Sequence, residues 1–316
     1  MIQSKDNPKA ILLIILGMTV FAIQDTLIKI LSDNTNIYLI YFVRSFVGLF
    51  IIILYLKIKK IPIIINTHYP LLTLIRCTIF FIGFSLYYYS LTKLSMAMAV
   101  TLFFVSPFFI TILSMIIIKE KVGIRRWMAI LIGFIGVYLV MDPNFKNFNI
   151  YSLFPVICAF CYAFTVIIQK KTSDKDSLFS QIIHIYVSAI IFSVIIKTSL
   201  FSINIEPEII EKYKFLLIEW RIPNYENFIM LIIIGLTGVT GFLCLFGAYN
   251  IGSPSSIAPF EYIMILYGIL ISWLIWGETL DLKAYVGLCL IIMAGIYTFI
   301  RESNLKKEIS INKPLR

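Results

Sequence analysis

With 316 residues, 60% of them hydrophobic and only 14% charged, the chain has too few charges to cover a soluble domain, which typically carries about 25%. For most of its length the surrounding solvent must be lipid. The formal charge of +10 does not point to nucleic acid, because the basic residues sit in short clusters at the ends of apolar runs, as topology signals do.

A helix crossing about 30 Å of hydrocarbon needs roughly 20 apolar residues. On that length the chain reads as about ten membrane-spanning helices: 10–31, 37–56, 69–91, 94–118, 126–141, 151–169, 181–200, 227–250, 254–276 and 282–300. The first run is too long for a signal-peptide core and lacks a small-residue cleavage site, so it reads as a retained span. It holds Asp25 and Lys29, four residues apart on one helix face, either as an internal ion pair or as part of a site. Arg44 lies about eight residues into the second span and Arg76 about eight into the third. Either can bind an anionic group or neutralise Asp25 or Glu261. In the fourth span Phe103 and Phe104 are candidates for stacking on a flat ring or holding a cation, against a packing role. Glu120 follows that span. Cys158 and Cys161 form a CxxC on the sixth, read as packing because no second ligand pair exists. His184 opens the seventh and reads as an interfacial histidine.

The segment 201–226 is the one long connection, with five glutamates and three basic residues; it reads as a solvated loop, the alternatives being a short amphipathic helix on the outer surface and a ligand-gathering acidic patch. Glu261 lies in the ninth span, two residues after Pro259, where a broken hydrogen-bond ladder exposes carbonyls to a cavity. A carboxylate there can attract a cationic substrate or carry a proton. Phe260 and Tyr262 flank it, and Trp273 and Trp276 at the end of that helix fit an interfacial belt. With the amino terminus cytoplasmic, loop Lys and Arg divide 17 inside to 7 outside, so both termini are expected inside.

The halves resemble each other. A shift of 158 aligns Gly83–Phe84 with Gly241–Phe242, Ser114 with Ser272 and Glu120 with Glu278; a shift of 141 aligns Phe21–Ala22 with Tyr162–Ala163 and Lys29 with Lys170. Five spans per half is odd, so the second half must enter the bilayer inverted, the construction of many secondary transporters. The expected organisation is all-α: a first five-helix repeat at 10–141, a second at 151–300 and a cytoplasmic tail at 301–316.

The stretch Phe21-Ala22-Ile23-Gln24-Asp25, Arg44, and the span endings Ile118-Lys119-Glu120-Lys121 and Trp276-Gly277-Glu278-Thr279 resemble the EamA-type members of the drug/metabolite transporter superfamily. The stretch Ile257-Ala258-Pro259-Phe260-Glu261-Tyr262 is similar to the S-adenosylmethionine uptake carriers of obligate intracellular bacteria. The resemblance implies a multi-pass protein of the bacterial inner membrane, moving a small metabolite by alternating access, with S-adenosylmethionine as substrate and other EamA-type metabolite export as the alternative. Its sulfonium and amine would suit Glu261 or Asp25, its carboxylate Arg44 or Arg76, and its adenine Phe103, Phe104 and Tyr262. No cofactor or metal is expected, the bilayer is the obligatory partner, and a homodimer is left open. No Walker-type loop, HExxH or nucleophile–base set occurs, so neither an ATP-driven pump nor an intramembrane enzyme is expected, and a channel would need no inverted symmetry.

Overall fold

The computed structural model describes residues 7–119, 124–141, 149–201, 206–221, 224–251 and 258–312. All regular structure among them is helical: α1 (Asn7–Leu31), α2 (Ile37–Ile58), α3 (Pro70–Ser90), α4 (Met96–Phe103), α5 (Ser106–Leu113), α6 (Ile124–Met141), α7 (Leu153–Thr172), α8 (Leu178–Phe201), α9 (Pro207–Lys212), α10 (Lys214–Leu217), α11 (Tyr225–Ile251), α12 (Ile263–Trp276) and α13 (Leu282–Asn312). Among the described residues seven helices are long and apolar enough to cross a membrane, and three shorter apolar helices bring the number to ten. Helices are what this solvent allows, since each backbone N–H and C=O must find its partner within the segment. The outward faces are apolar, with Phe50, Leu71 and Leu274 all more than half exposed.

The helices form two five-helix repeats, the second inverted. α1 packs on α11 and α3 on α7, α2 packs on α8, α6 on α13, and α4 on α12. Exchanging each span with its counterpart five spans on turns this set of pairings into itself. The aromatic contacts obey the same exchange. Phe21 meets Phe242 edge-on at 5.6 Å, and their repeat equivalents Tyr162 and Phe84 meet edge-on at 6.4 Å. The fourth and ninth spans also end alike, on a left-handed residue at equivalent positions, Lys119 (φ 61°) and Gly277 (φ 66°).

The fourth span is not the continuous helix expected over 94–118. It breaks after Phe103, restarts at Ser106 with Pro107 in its first turn, and ends in a π-turn at Ser114–Ile118. Proline has no N–H to give the preceding turn, so the ladder is interrupted there. The ninth span opens as a 3₁₀ turn at Ala258–Tyr262 before α12, so both fourth helices change winding at the level of Phe103 and Glu261. The reading of 201–226 as a solvated loop also needs correction. α9 and α10 fold over the end of the bundle, Phe215 is buried, and the Asn36 side-chain amide donates to the carbonyls of Leu216 and Ile218 at 2.9 and 2.7 Å. The same Asn36 caps α2 by accepting from Tyr38 N–H. Hydropathy could not register one asparagine tying a charged segment down. Glu120 and residues 313–316 lie outside the described residues, and α13 continues through 301–312, the segment read as a tail.

Candidate functional site

A cavity of about 860 Å³ lies between the two repeats. It begins at exposed residues of the α7–α8 connection, Ser173 and Ser177, and ends near the middle of the bundle at Gln24, Asp25, Arg44 and Tyr88. Beyond that floor the packing is tight. Ile28, Leu31, Leu91 and Leu94 are buried there, and Phe215 joins the same apolar cluster. The cavity therefore opens on the face that carries Asn7 and the end of α13 and is closed toward the other.

The structure brings together Asp25, Arg44, Arg76, Phe103, Phe104 and Glu261 as lining residues. Asp25 accepts a hydrogen bond from Tyr87 Oη at 2.9 Å. Arg44 Nη1 donates to Tyr88 Oη at 2.9 Å, with the guanidinium 6.0 Å from that ring's centroid, and Gln24 Nε2 donates to the same oxygen at 3.1 Å. Among the described residues no carboxylate lies within ion-pair distance of Arg44. The acid and the base thus stand side by side without pairing, each attended by one of two consecutive tyrosines of α3. Gly238 of α11 lets both Arg44 and Gln24 lie against that helix, since a Cβ there would come within 3.0 Å of Arg44 Nε and of Gln24 Oε1.

One wall is aromatic. Phe103 lies 5.5–6.0 Å from the rings of Phe84, Tyr87, Phe104 and Tyr162. Glu261, on its 3₁₀ turn, is near enough to Tyr162 to act on it electrostatically. Tyr262 does not line the cavity: its ring packs on Phe104 at 5.4 Å and its hydroxyl fills the space over Gly295 of α13. Expected beside the substrate, Tyr262 stands instead behind Phe104 in this structure. Phe260, expected in the same cluster, is exposed on the outer surface. Gln24, Tyr87, Tyr88 and Tyr162 were not singled out from the sequence. The signal was there in Tyr87-Tyr88-Tyr89, because three successive residues cover most of a helix's circumference and some hydroxyls must then point inward.

The expected Asp25–Lys29 ion pair does not form. Lys29 Nζ reaches Glu278 at 3.1 Å and the Leu94 carbonyl at 3.0 Å, and lies 4.5 Å over the Trp276 ring. Three partners at the end of α1 outcompete one carboxylate that a tyrosine already holds. Trp276, read as part of an interfacial belt, and Glu278 therefore clamp the closed end. At the open end the extended residues 61–69 are strapped to the α7–α8 connection. Asp176 accepts from Thr67 Oγ1 and from His68 N–H, Tyr69 Oη donates to Asp174, and His184 Nε2 shares a hydrogen bond with the Ile65 carbonyl. Burial pushes the Asp176 carboxyl up, but the Thr67 and His68 bonds and the nearby imidazoles outweigh it, leaving it below the usual carboxylate value. Cys158 and Cys161 are free thiols on α7, packed where α3 comes close at Gly83.

The model of the EamA-like transporter family matches residues 8–142 and 149–300, one copy on each repeat. A riboflavin transporter of Vibrio cholerae is 26% identical over 269 residues, covering 84% of this chain and 83% of its own. An S-adenosylmethionine uptake transporter of Rickettsia prowazekii is 25% identical over 296 residues, covering 94% and 93%. A solved crystal structure superposes with a TM-score of 0.60 over 96% of this chain and all of its own, at 13% identity, a likeness of fold alone.

Proposed function

The chain belongs to the EamA-like transporter family, and from that premise we propose that it carries S-adenosylmethionine across the bacterial inner membrane by alternating access between its two repeats. The observation that carries the reading is the unpaired couple of Asp25 and Arg44 at the floor of a cavity with an aromatic wall. A zwitterionic amino-acid head bears an ammonium and a carboxylate side by side, and the couple offers each its complement. A sulfonium and an adenine ring would then lie toward Glu261, Phe103 and Tyr162, which bring a carboxylate and several rings to the cavity lining. The volume is in the range of about 300–1,000 Å³ that small-molecule sites occupy.

The riboflavin relative supports a second substrate class, a flat uncharged ring that the aromatic wall would serve equally well. That ligand would leave Asp25 and Arg44 desolvated without a complementary charge, so the charges favour the zwitterion. The loop charge bias supports cytoplasmic termini, which makes the open end the cytoplasmic one and the clamp of Lys29, Glu278 and Trp276 the outer closure. In the inverted state the repeats would exchange these roles. Uptake of radiolabelled S-adenosylmethionine into cells expressing the protein tests the reading. Saturable accumulation above empty-vector cells is expected, and its absence at verified membrane expression sinks the substrate assignment.

A further inference from the structure

Along α3, residues Arg76, Phe80, Phe84 and Tyr87–Tyr88 follow at helical spacing and all line the cavity, from its open part to its floor. Arg76 lies eleven residues before Tyr87, about 16 Å nearer the mouth at 1.5 Å per residue. It is therefore set well apart from Asp25 and Arg44. We propose that Arg76 is a separate vestibular anion station, which takes the carboxylate or phosphate group of a solute before that solute reaches the floor.

Three observations carry this. First, Arg76 is only 1% exposed, yet its guanidinium meets no carboxylate among its hydrogen-bond partners: the Cys77 thiol lies beside it, Nη1 donates to Gln181 Oε1 at 3.3 Å and Nη2 to the Gln181 carbonyl at 3.1 Å. Both are long beside the about 2.7–2.9 Å of a charge-assisted N–H···O⁻ bond. Second, among the described residues no carboxylate comes within ion-pair distance of Arg76. The acid whose charge it feels, Asp176, is already held by Thr67 and His68. Lys29, by contrast, has Glu278, and Arg44 shares its surroundings with Asp25. Third, the fork has five N–H donors, and none of its nitrogens is sealed in protein without a partner. The residue lines the cavity. A cation withdrawn from water and left without a counter-charge within ion-pair distance is costly at membrane depth, and a planar two-oxygen anion in the cavity would match the guanidinium bidentately in place of Gln181.

The station's place in transport rests on the cavity being the route proposed above, but its anion binding does not, so the test uses no transported substrate. The purified full-length protein in lipid nanodiscs is treated with the arginine-selective reagent phenylglyoxal, and modification of Arg76 is followed by peptide mass spectrometry. Acetate, inorganic phosphate and chloride are compared at equal ionic strength. Arg76 should label, and acetate or phosphate should slow its labelling about tenfold when present at about ten times the dissociation constant. Protection by acetate alone assigns carboxylates, and protection by phosphate assigns phosphorylated solutes as well. No protection by either, equal protection by chloride, or an Arg76 that never labels overturns the proposal. A failed uptake assay would remove the substrate reading and leave this result standing.

Discussion

In the proposed site, Asp25 and Arg44 stay unpaired with each other because a tyrosine holds each of them. Had they paired with one another, a zwitterion would first have to break a desolvated salt bridge; held by neutral hydroxyls, each presents its charge to the cavity. Tyr88 is the critical neighbour, since its oxygen accepts from both Arg44 and Gln24. Tyr88→Phe should leave both donors unsatisfied and weaken substrate binding. A hydrogen bond to a charged group contributes about 1.5–3 kcal/mol, or roughly ten- to a hundredfold in affinity. Tyr89→Phe is the control, because Tyr89 does not line the cavity and its ring packs on Tyr151 and Phe154. Saturable uptake read as KM at matched expression distinguishes them; equal values for the two variants would take Tyr88 out of the site. The sequence made Asp25, Arg44, Arg76 and Glu261 visible because an ionisable residue in an apolar run is conspicuous. It hid Gln24 and Tyr88, which hydropathy hardly penalises and whose importance depends on what lies across the helix contact.

Between elements, the contacts that decide conformation sit at the two ends of the cavity. Lys29, Glu278, Trp276 and the Leu94 carbonyl join α1, the α3–α4 turn and the α12–α13 turn. The pair is partly exposed, with side chains 9% and 38% accessible, so its worth lies nearer to about 1 kcal/mol than to that of a fully buried pair. Such a loss shifts a two-state ratio about fivefold. Lys29→Ala and Glu278→Gln should each open the closed end, seen as faster labelling of a cysteine placed at Leu91 by an impermeant thiol reagent. The exchange Lys29→Glu with Glu278→Lys should restore protection in part. Unchanged labelling in both single variants would mean that the apolar plug of Ile28, Leu31 and Leu94 closes that end by itself. At the open end the Asp176 latch makes a pH prediction. Its carboxyl titrates below the ordinary value of 3.8, so the latch stabilises fully above that value and is lost as the pH falls through the depressed one. Melting temperature measured down this range should fall less steeply in Thr67→Val than in the unaltered protein, and parallel curves would exclude the latch. The sequence showed these helices but not these contacts. An i,i+4 spacing made Asp25 the evident partner of Lys29, whereas Glu278 is 249 residues away and enters only through the fold.

For the whole molecule, the inverted repeat was legible because its markers recur in order, and the structure turns them into paired contacts. What single-sequence alignment could not say is which helices hold the repeats together. Lipid gives no hydrophobic reward for joining helices, so close backbone approach must supply much of the adhesion. The fifth helices of the two repeats, α6 and α13, meet at Gly136 and Gly287, where a Cβ on Gly287 would lie 2.5 Å from the Gly136 carbonyl oxygen. That oxygen is backbone and cannot swing aside. Gly287→Ala must therefore push the two helices apart, at a cost typical of overpacking, about 1–3 kcal/mol. Gly247 of α11 is the internal comparison, since a Cβ there meets only Leu13 Cδ1 at 3.6 Å, an ordinary contact, and Gly247→Ala should be neutral or slightly stabilising. Both variants replace a helical glycine by alanine, so helix propensity cancels and only the crossing differs. Thermal unfolding in detergent, followed by fluorescence-detected size exclusion, should place Gly287→Ala several degrees below Gly247→Ala. If the two melt together, the repeats are not held at this crossing, and the adhesion must come instead from the α1–α11 and α3–α7 contacts.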